Sequence, residues 1–329
     1  MLIQDWRDAD AADVEPLYDA ELVRWRGALG WDLAPSWGIV EAGRRDGRVP
    51  GVIARQQGSR TVGWAYYLLH EGTLQIGGMT AASASVLRHL LERILQSSEA
   101  RLARGFSCFL FPASSSLQSA LERQRFELNR HLYMARQLTD ADTAGPGDLP
   151  ADLRLRPLTQ VDPVEIVRLM ARAYAGRPEA RAFAPDARLE QWAHYVGQLL
   201  TTPAIGRYLP GASFAIERRG SAVPAAAVIA TSLSADTAHI AQVVVDPACR
   251  RFGLARALLQ AACGVARAGG HDQMTLLVAE SNEPAWTLYG RIGFARAAHF
   301  LYGSRPPLSR RPLGSADART GSGQSATAR

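Results

Sequence analysis

A mostly apolar run, a short loop and then apolar residues at helical spacing follow one another late in the chain. Residues 240–245 are typical of a buried strand, and Asp246-Pro247 ends it because proline cannot donate a ladder hydrogen bond. Beyond the loop, apolar residues recur at i, i+3, i+4 and i+7. This spacing predicts a helix over residues 253–268 with one face on the core.

The same order of patterns occurs in both halves of the chain. Residues 2–18 and 153–173 each indicate a short strand, an Asp-containing turn and an amphipathic helix. The first half then predicts a strand over 61–69, a long helix over about 84–102 and a strand–helix–strand unit over 107–138. The second half predicts strands over 215–232, 239–245 and 273–279, and a strand, a turn and a short helix over 276–294. Two copies of one α/β fold explain this order most simply.

Residues 139–152 (TDADTAGPGDLPAD) interrupt the pattern with Asp, Gly, Pro and Ala, which is typical of a linker. We therefore expect one domain over residues 1–138 and a second over 153–302. Residues 303–329 are rich in Gly, Ser, Pro and Arg and predict a disordered basic tail.

Composition removes several enzyme classes. The 329 residues include no lysine, so all 37 basic Lys+Arg residues are arginine. A Walker-type phosphate loop, a pyridoxal Schiff base and a lysine proton relay all need a lysine and are therefore excluded. The residues from Gly303 onward carry +4 of the formal net charge of +6, which leaves a nearly neutral body. Such a body lacks the clustered basic face of a nucleic-acid-binding protein.

Other kinds of site also lack support. Three scattered cysteines are too few for a disulfide framework or a zinc cluster, and no histidine has metal-ligand spacing, so we expect no metal. The acidic, interrupted N-terminal residues do not resemble a signal peptide, and no stretch approaches the length of a membrane helix. We therefore expect a cytoplasmic protein without a membrane partner.

The strand–loop–helix unit has the features of an anion site. Gly253 lies where the loop meets the predicted helix, and unpaired amides together with the positive end of the helix dipole favour a pyrophosphate there. Gly253 and Ala255 allow phosphate oxygens close to the backbone. Arg250, Arg251 and Arg256 add positive charge. A tight turn with solvent-facing arginines explains this segment equally well when it is taken alone.

A second motif downstream favours the anion site over a simple tight turn. Residues 250–255 have the pattern R-x-x-G-x-A, and residues 282–294 have the pattern N-x-x-A-x-x-L-Y-x-x-x-G-F. The two motifs, in this order and in this structural context, resemble those of the GNAT acyltransferase family over residues 153–301. The resemblance implies an α/β (α+β) class protein with two tandem GNAT-like domains. Each would have a mixed, mostly antiparallel central sheet flanked by helices.

The resemblance also implies roles for individual residues. Backbone groups of the strand before the loop, at Val243, Val244 and Val245, would bind the pantetheine arm of acetyl-CoA. The pyrophosphate would be held by the loop and first helical turn, formed by Arg250, Arg251, Phe252, Gly253, Leu254, Ala255 and Arg256. Asn282 would contact the cofactor. Tyr289 would protonate the departing thiolate, and a tyrosine is a competent acid because its unperturbed pKa is about 10.

The general base is where this chain departs from the commonest pattern of the family. Many family members carry a glutamate on the strand before the loop, whereas this chain has Ala241 and Gln242 nearby. His239 is the candidate base, and a water chain or an acceptor that arrives deprotonated are the alternatives; a purely structural histidine is also open. His194 and Glu280 are weaker candidates.

The first half departs further from the family pattern. Residues 74–91, where a phosphate loop is expected, contain Gly77 and Gly78 but no flanking arginine. Alignment of the two halves places Ser114 at the asparagine position and Leu121 at the tyrosine position, and leucine cannot donate a proton. We therefore expect a degenerate copy that completes the substrate cleft or substitutes for a second subunit, with a regulatory CoA site as the alternative.

Together these patterns predict an acetyl-CoA-dependent N-acetyltransferase that acts on a primary amine of a small molecule or peptide, as a monomer or homodimer. The alternatives are a non-catalytic CoA-binding scaffold and a mycothiol-synthase-like enzyme, since the tandem layout is similar to that of those GNAT enzymes. In this family the region corresponding to residues 174–214 walls the acceptor site. Its candidate lining residues are Arg177, Glu179, Trp192, His194, Tyr195 and Tyr208.

Overall fold

The structure is a computed structural model that describes residues 1–56, 60–145, 149–158, 162–203, 205–221 and 223–306. The first half contains, in chain order, β1 (Leu2–Asp5), α1 (Ala11–Leu29), α2 (Ala34–Arg45), β2 (Gly51–Arg55), β3 (Thr61–His70), β4 (Thr73–Ala81), α3 (Ala84–Leu95), α4 (Ser98–Leu102), β5 (Gly105–Leu110), α5 (Ser115–Arg123) and β6 (Glu127–Gln137). The second half contains β7 (Leu153–Pro157), α6 (Asp162–Ala173), α7 (Leu189–Thr201), β8 (Arg207–Tyr208), β9 (Phe214–Arg218), β10 (Pro224–Ser232), β11 (Thr237–Val245), α8 (Leu254–Ala268), β12 (Gln273–Ala279), α9 (Glu283–Arg291) and β13 (Ala295–Arg305). The remaining predicted tail, residues 307–329, lies outside the described residues.

The strands of the two halves form one continuous sheet. Among the described residues, its order is β1-β2-β3-β4-β5-β13-β6-β12-β11-β10-β9-β7, and β8 pairs with β10. The last strand of each half has been exchanged. Strand β13 lies between β5 and β6 of the first half, and β6 pairs with β12 of the second half. The halves are therefore joined through the centre of the sheet.

The predicted fold class is confirmed, with differences in individual elements. The sheet is mixed and mostly antiparallel, with the parallel pairs β4–β5 and β11–β12. The single predicted helix over 84–102 is wrong, because the Ser97 hydroxyl accepts a hydrogen bond from the Ala100 amide at 3.1 Å and begins α4 as a new helix. The predicted strand over 215–232 is two strands, β9 and β10, separated by a turn in which Gly220 has φ +82°.

The boundaries near residues 139 and 303 also differ from a simple linker and tail. Residues Asp140–Ala144 form a 3₁₀ turn against α8, and the Arg267 guanidinium pairs with Asp140 at 3.1 Å. A Cβ on Gly264 of α8 would come within 2.6 Å of the Asp142 carbonyl oxygen, so this contact is close. Strand β13 continues through Arg305, which corrects the prediction that the tail begins at residue 303.

Helices cover both faces of the sheet. On one face, α3 and α5 cover the core of the first half, and α8 and α9 cover the core of the second half. On the opposite face, α1 and α2 contribute to an aromatic-rich core, and α6 and α7 pack over β10 and β11. No helix in the described part of the chain is long and apolar enough to cross a bilayer.

Candidate active site

Strands β11 and β12 separate into a wedge after a short paired segment. Their parallel pairing covers Thr237–Ile240 and Gln273–Leu276 and goes no further. A bulge at Ala241 shifts the pairing of β11 with β10 at this point, and the following residues of β11 remain paired with β10. The backbone groups of Val243, Val244 and Val245 that face away from β10 therefore border an opening, as do those of β12 that face away from β6. An extended ligand can bind to such edges through main-chain hydrogen bonds.

The loop at the wide end of this wedge turns backbone amides toward one place. Arg251 has φ +73° and Gly253 has φ +77°, so both are in the left-handed region. Helix α8 begins at Leu254, and the amides of its first turn, which includes Ala255 and Arg256, have no partner within the helix. A Cβ on Gly253 would meet no protein atom within 4 Å, so the space above this turn is open. These features fit a phosphate group.

The arginines of this loop differ in their surroundings. The Arg250 guanidinium donates a hydrogen bond to the Ala173 carbonyl at the end of α6 at 3.0 Å, which ties the loop to that helix. Arg251 and Arg256 are exposed and line the same cavity. Phe252 is 61% exposed and is not among the cavity-lining residues, so its side chain does not contribute to the predicted cofactor site.

Asn282 lies just beyond the carboxyl end of β12, and Tyr289 lies on α9, the helix that follows. Asn282 precedes α9, and its side chain makes no capping hydrogen bond, which leaves the amide available to a ligand. Tyr289 is buried one helical turn from the end of α9 and packs against Phe294, with 6.2 Å between ring centroids. Burial raises the pKa of the Tyr289 hydroxyl well above its ordinary value, so this group is protonated at neutral pH. It therefore carries a proton at neutral pH that can be transferred to a leaving sulfur as negative charge develops there.

His239 is poorly suited to accept a proton. The ring is 2% exposed, its Nδ1 lies 2.9 Å from the Thr275 hydroxyl, and it stacks on Tyr133 with 6.1 Å between centroids. Burial lowers the pKa of His239 to about 3, because the charged form loses its hydration. The geometry is that of a structural histidine that joins β11 to the exchanged strand β6.

Aromatic side chains of α6 and α7 form one wall beside the wedge. The Gln242 side-chain amide donates a hydrogen bond to the Tyr174 hydroxyl at 3.2 Å, and burial raises the pKa of Tyr174. The Tyr195 ring packs against Phe183 in the same wall, with 4.8 Å between centroids. Trp192 is 1% exposed and belongs to the core beneath this wall, so it does not line the cavity as predicted.

A cavity of about 1560 Å³ connects these elements across the middle of the sheet. It contains all the predicted site residues except Phe252, together with the predicted acceptor-side residues Arg177, Glu179, His194 and Tyr195. The first half supplies further lining residues that the sequence did not indicate. They include Thr73 and Gln75 of β4, Ser107 and Phe109 of β5 and His131 of β6. The exchanged strands bring these residues to the site.

The corresponding region of the first half has no comparable loop. Gly77 and Gly78 lie inside β4 rather than in a turn, and a Cβ on Gly77 would come within 2.3 Å of the Tyr66 ring. Only residues 82 and 83 separate β4 from α3, and the Ser83 hydroxyl accepts a hydrogen bond from the Val86 amide at 3.3 Å. Leu121, at the position that corresponds to Tyr289, is fully buried in the core. Among the described residues, no group of three or more His, Cys, Asp or Glu side chains could hold a metal ion.

Comparisons with known proteins agree with this geometry. Residues 173–294 match the family described as "Acetyltransferase (GNAT) family". Two curated relatives, both named mycothiol acetyltransferase, come from Clavibacter sepedonicus and Clavibacter michiganensis subsp. michiganensis. Each is 31% identical over 193 residues, which is 57% of this chain and 57% and 56% of the respective relative. The match therefore spans little more than half the length of these proteins.

Solved structures share the fold of nearly the whole chain. A GCN5-related N-acetyltransferase from Sphaerobacter thermophilus has a TM-score of 0.65 at 18% identity, with 92% of this chain and 95% of that chain covered. A tandem GNAT protein from the clavulanic acid biosynthesis pathway has a TM-score of 0.64 at 14% identity, with 94% and 100% covered. At these identities the similarity concerns the fold alone.

Proposed function

We propose that this chain, whose residues 173–294 match the GNAT acetyltransferase family, is an acetyl-CoA-dependent N-acetyltransferase that acts on a primary amine of a small molecule or peptide. The observation that carries the proposal is the continuous path from the α8 turn, along the wedge between β11 and β12, to Asn282 and Tyr289. The path has an anion site at one end and a buried acid at the other. A pantetheine thioester needs both.

The residues of the path have complementary roles in this proposal. The amides around Gly253 and the nearby Arg251 and Arg256 bind the pyrophosphate. The open edge of β11 at Val243–Val245 orients the pantetheine arm through main-chain hydrogen bonds. Bound acetyl-CoA supplies the activated acetyl group. Tyr289 protonates the sulfur as the thioester is cleaved, so that the sulfur leaves as a neutral thiol. A free thiolate would be a poor leaving group in a buried site.

The first half has a supporting role in this proposal. Residues 1–138 lack the loop, the arginines and the tyrosine of a cofactor site, and they contribute one wall of the acceptor cleft through β4, β5 and β6. We propose that the second half, over residues 153–302, binds acetyl-CoA. The cytoplasmic location and the monomeric or dimeric state remain predictions.

Calorimetric titration of acetyl-CoA into the full chain tests this assignment. We expect one site per chain. Tyr289→Phe is expected to retain the acetyl-CoA affinity while the rate of CoA release in the presence of an amine acceptor falls about 100-fold, the ordinary contribution of a positioned acid. Two binding sites would assign a cofactor to the first half as well. No binding would contradict the enzyme and the CoA-binding scaffold alike, whereas binding without turnover on any amine would favour the scaffold.

A mycothiol-acetyltransferase-like specificity is a second candidate. It is favoured by the 31% identity to two proteins of that name and by a cavity wide enough for an acceptor larger than a simple amine. The test is incubation with acetyl-CoA and desacetylated mycothiol, with the acetylated product measured by mass spectrometry. Turnover no faster than with glucosamine would contradict this specificity without affecting the broader proposal.

A further inference from the structure

A carboxylate without an ion pair lines the cavity beside the loop that joins β12 to α9. Glu179 is in the 3₁₀ turn Pro178–Ala182, between α6 and α7, and is half-buried. Its Oε1 accepts a hydrogen bond from the Ser281 hydroxyl at 3.4 Å. Because Ser281 lies between the end of β12 and Asn282, this contact places the carboxylate at the carboxyl end of β12, beside Asn282.

The charge of Glu179 also affects the pKa of groups on other elements. It acts electrostatically on His131 of β6, where it partly opposes the lowering of the His131 pKa by burial. It also contributes to the raised pKa of Tyr174 at the end of α6. The carboxylate therefore lies among the α6–α7 connection, the start of α9 and the exchanged strand β6, three elements that together surround the acceptor side of the cavity.

The other acidic side chains near the cavity are paired or exposed. Asp186 accepts a hydrogen bond from the Gln191 side chain at 3.0 Å and is 71% exposed. Glu280 pairs with Arg130 at 3.5 Å, and Glu71 is exposed beside His70 at the first-half end of the cavity. Glu283 is exposed on the first turn of α9. Within the described residues, Glu179 is the half-buried cavity carboxylate without an ion pair.

The histidines near the cavity do not replace it. His239 is enclosed by Tyr133 and Thr275, as described above. Burial lowers the pKa of His131 to about 4, which makes its neutral ring a weak base. His194 stacks on His70 at 4.6 Å between centroids, where α7 meets the end of β3. A carboxylate is thus the remaining cavity group that can bind a cationic amine and accept its proton.

We propose that Glu179 binds the primary ammonium group of the acceptor and takes its first proton. This inference rests on the proposed acetyltransferase function. The neutral amine then forms a bond from its nitrogen to the acetyl carbon, and the carbon–sulfur bond breaks. Tyr289 gives its proton to the sulfur and is reprotonated by the second proton leaving the nitrogen, while Glu179 returns the first proton to solvent. One ammonium and one thioester give one amide, one thiol and one released proton.

The proposal also defines the acceptor class. The neighbouring cavity-lining cations Arg177 and Arg181 are exposed, and Arg181 pairs with Glu127 at 3.4 Å. Because the half-buried Glu179 is negative, the acceptor in this proposal is an amine that arrives as an ammonium ion. A weakly basic amine, which is already neutral at pH 7, does not need the carboxylate.

The test compares two nucleophiles in two variants of the full chain. The charged probe is whichever of glucosamine, putrescine and glycyl-lysine the wild type acetylates fastest, and the neutral probe is methoxyamine. Glu179→Gln is expected to lower kcat/KM for the charged probe about 100-fold, the lower end of general-base contributions, and to change the rate with methoxyamine less than threefold. Glu190→Gln is the matched control, because Glu190 is exposed on the first turn of α7 and is not among the described cavity-lining residues.

The outcomes separate this inference from the function on which it rests. Equal losses with both probes, or no loss with either, would overturn the role of Glu179. Wild-type protein that binds acetyl-CoA but releases no CoA with any probe would instead contradict the acetyltransferase proposal. An unchanged acetyl-CoA affinity in Glu179→Gln shows that the variant is folded and that the cofactor half of the site is intact.

Discussion

Substitution of Gly253 by alanine separates the stability of the α8 turn from its capacity to bind an anion. Gly253 has φ +77°, and the added Cβ would meet no protein atom within 4 Å. The cost to the free protein is therefore limited to the left-handed backbone of an L-residue, about 1–2 kcal/mol. The same Cβ occupies the open space in which we place the pyrophosphate. Loss of one hydrogen bond to a charged phosphate costs about 1.5–3 kcal/mol, which corresponds to a dissociation constant raised about 10-fold to 150-fold.

Gly220 provides a matched control. It has φ +82° in the turn between β9 and β10, and a Cβ there also meets no protein atom within 4 Å. Gly220→Ala should therefore lower the free energy of unfolding by a similar amount without changing the affinity for acetyl-CoA. Calorimetric titration and urea unfolding of both variants give the two quantities. Equal acetyl-CoA affinities for Gly253→Ala and Gly220→Ala would refute the assignment of the phosphate site to the α8 turn.

Two further predictions concern the exchanged strands and the buried histidine. Ser107 of β5 and Ser304 of β13 are Cα partners across the exchanged pair of strands. In the double variant S107C/S304C the two cysteines should therefore form a disulfide under mild oxidation, detected by mass spectrometry. Absence of this crosslink from folded protein would contradict the strand exchange. His239 has a folded-state pKa of about 3, below its ordinary value of 6.5, so the unfolded state binds a proton in this interval and stability is lost as the pH falls from about 6.5 toward 3. Between pH 7 and pH 5 this lowers the free energy of unfolding by about 2 kcal/mol. His239→Asn should reduce the loss of unfolding free energy over this pH range, measured by urea unfolding, by the same amount. An identical loss in the variant and the wild type would refute the argument.

The local parts of the site were predictable from sequence because short segments determine them. A proline after an apolar run, a glycine before a helical stripe and an asparagine–tyrosine spacing each specify a turn and a helix within about 15 residues. Gly253, Asn282 and Tyr289 accordingly line one cavity. Phe252 was included as part of a contiguous motif, although its side chain is exposed, because a motif does not state which of its members point outward.

The non-local parts were not predictable in this way. The alternating residues of β13 specify a strand with one buried face, but they carry no information about whether its neighbour is β12 or β5, and either pairing satisfies the backbone. The burial of His239 depends on Tyr133, which the exchange brings from the other half. Glu179 was considered only as a lining residue, because its relation to Ser281 across 102 positions arises from the packing of a loop.

The exchange also sets the order in which this chain can become native during its synthesis. Strand β5 ends at Leu110, yet its neighbour β13 begins at Ala295, so nearly the whole chain has to leave the ribosome before that edge is covered. A first half that emerged and folded alone would present an unpaired strand edge, which is a site for pairing with other chains. The stability of the first half therefore depends on a strand that is made much later, and a truncation that removes β13 damages the first half as much as the second.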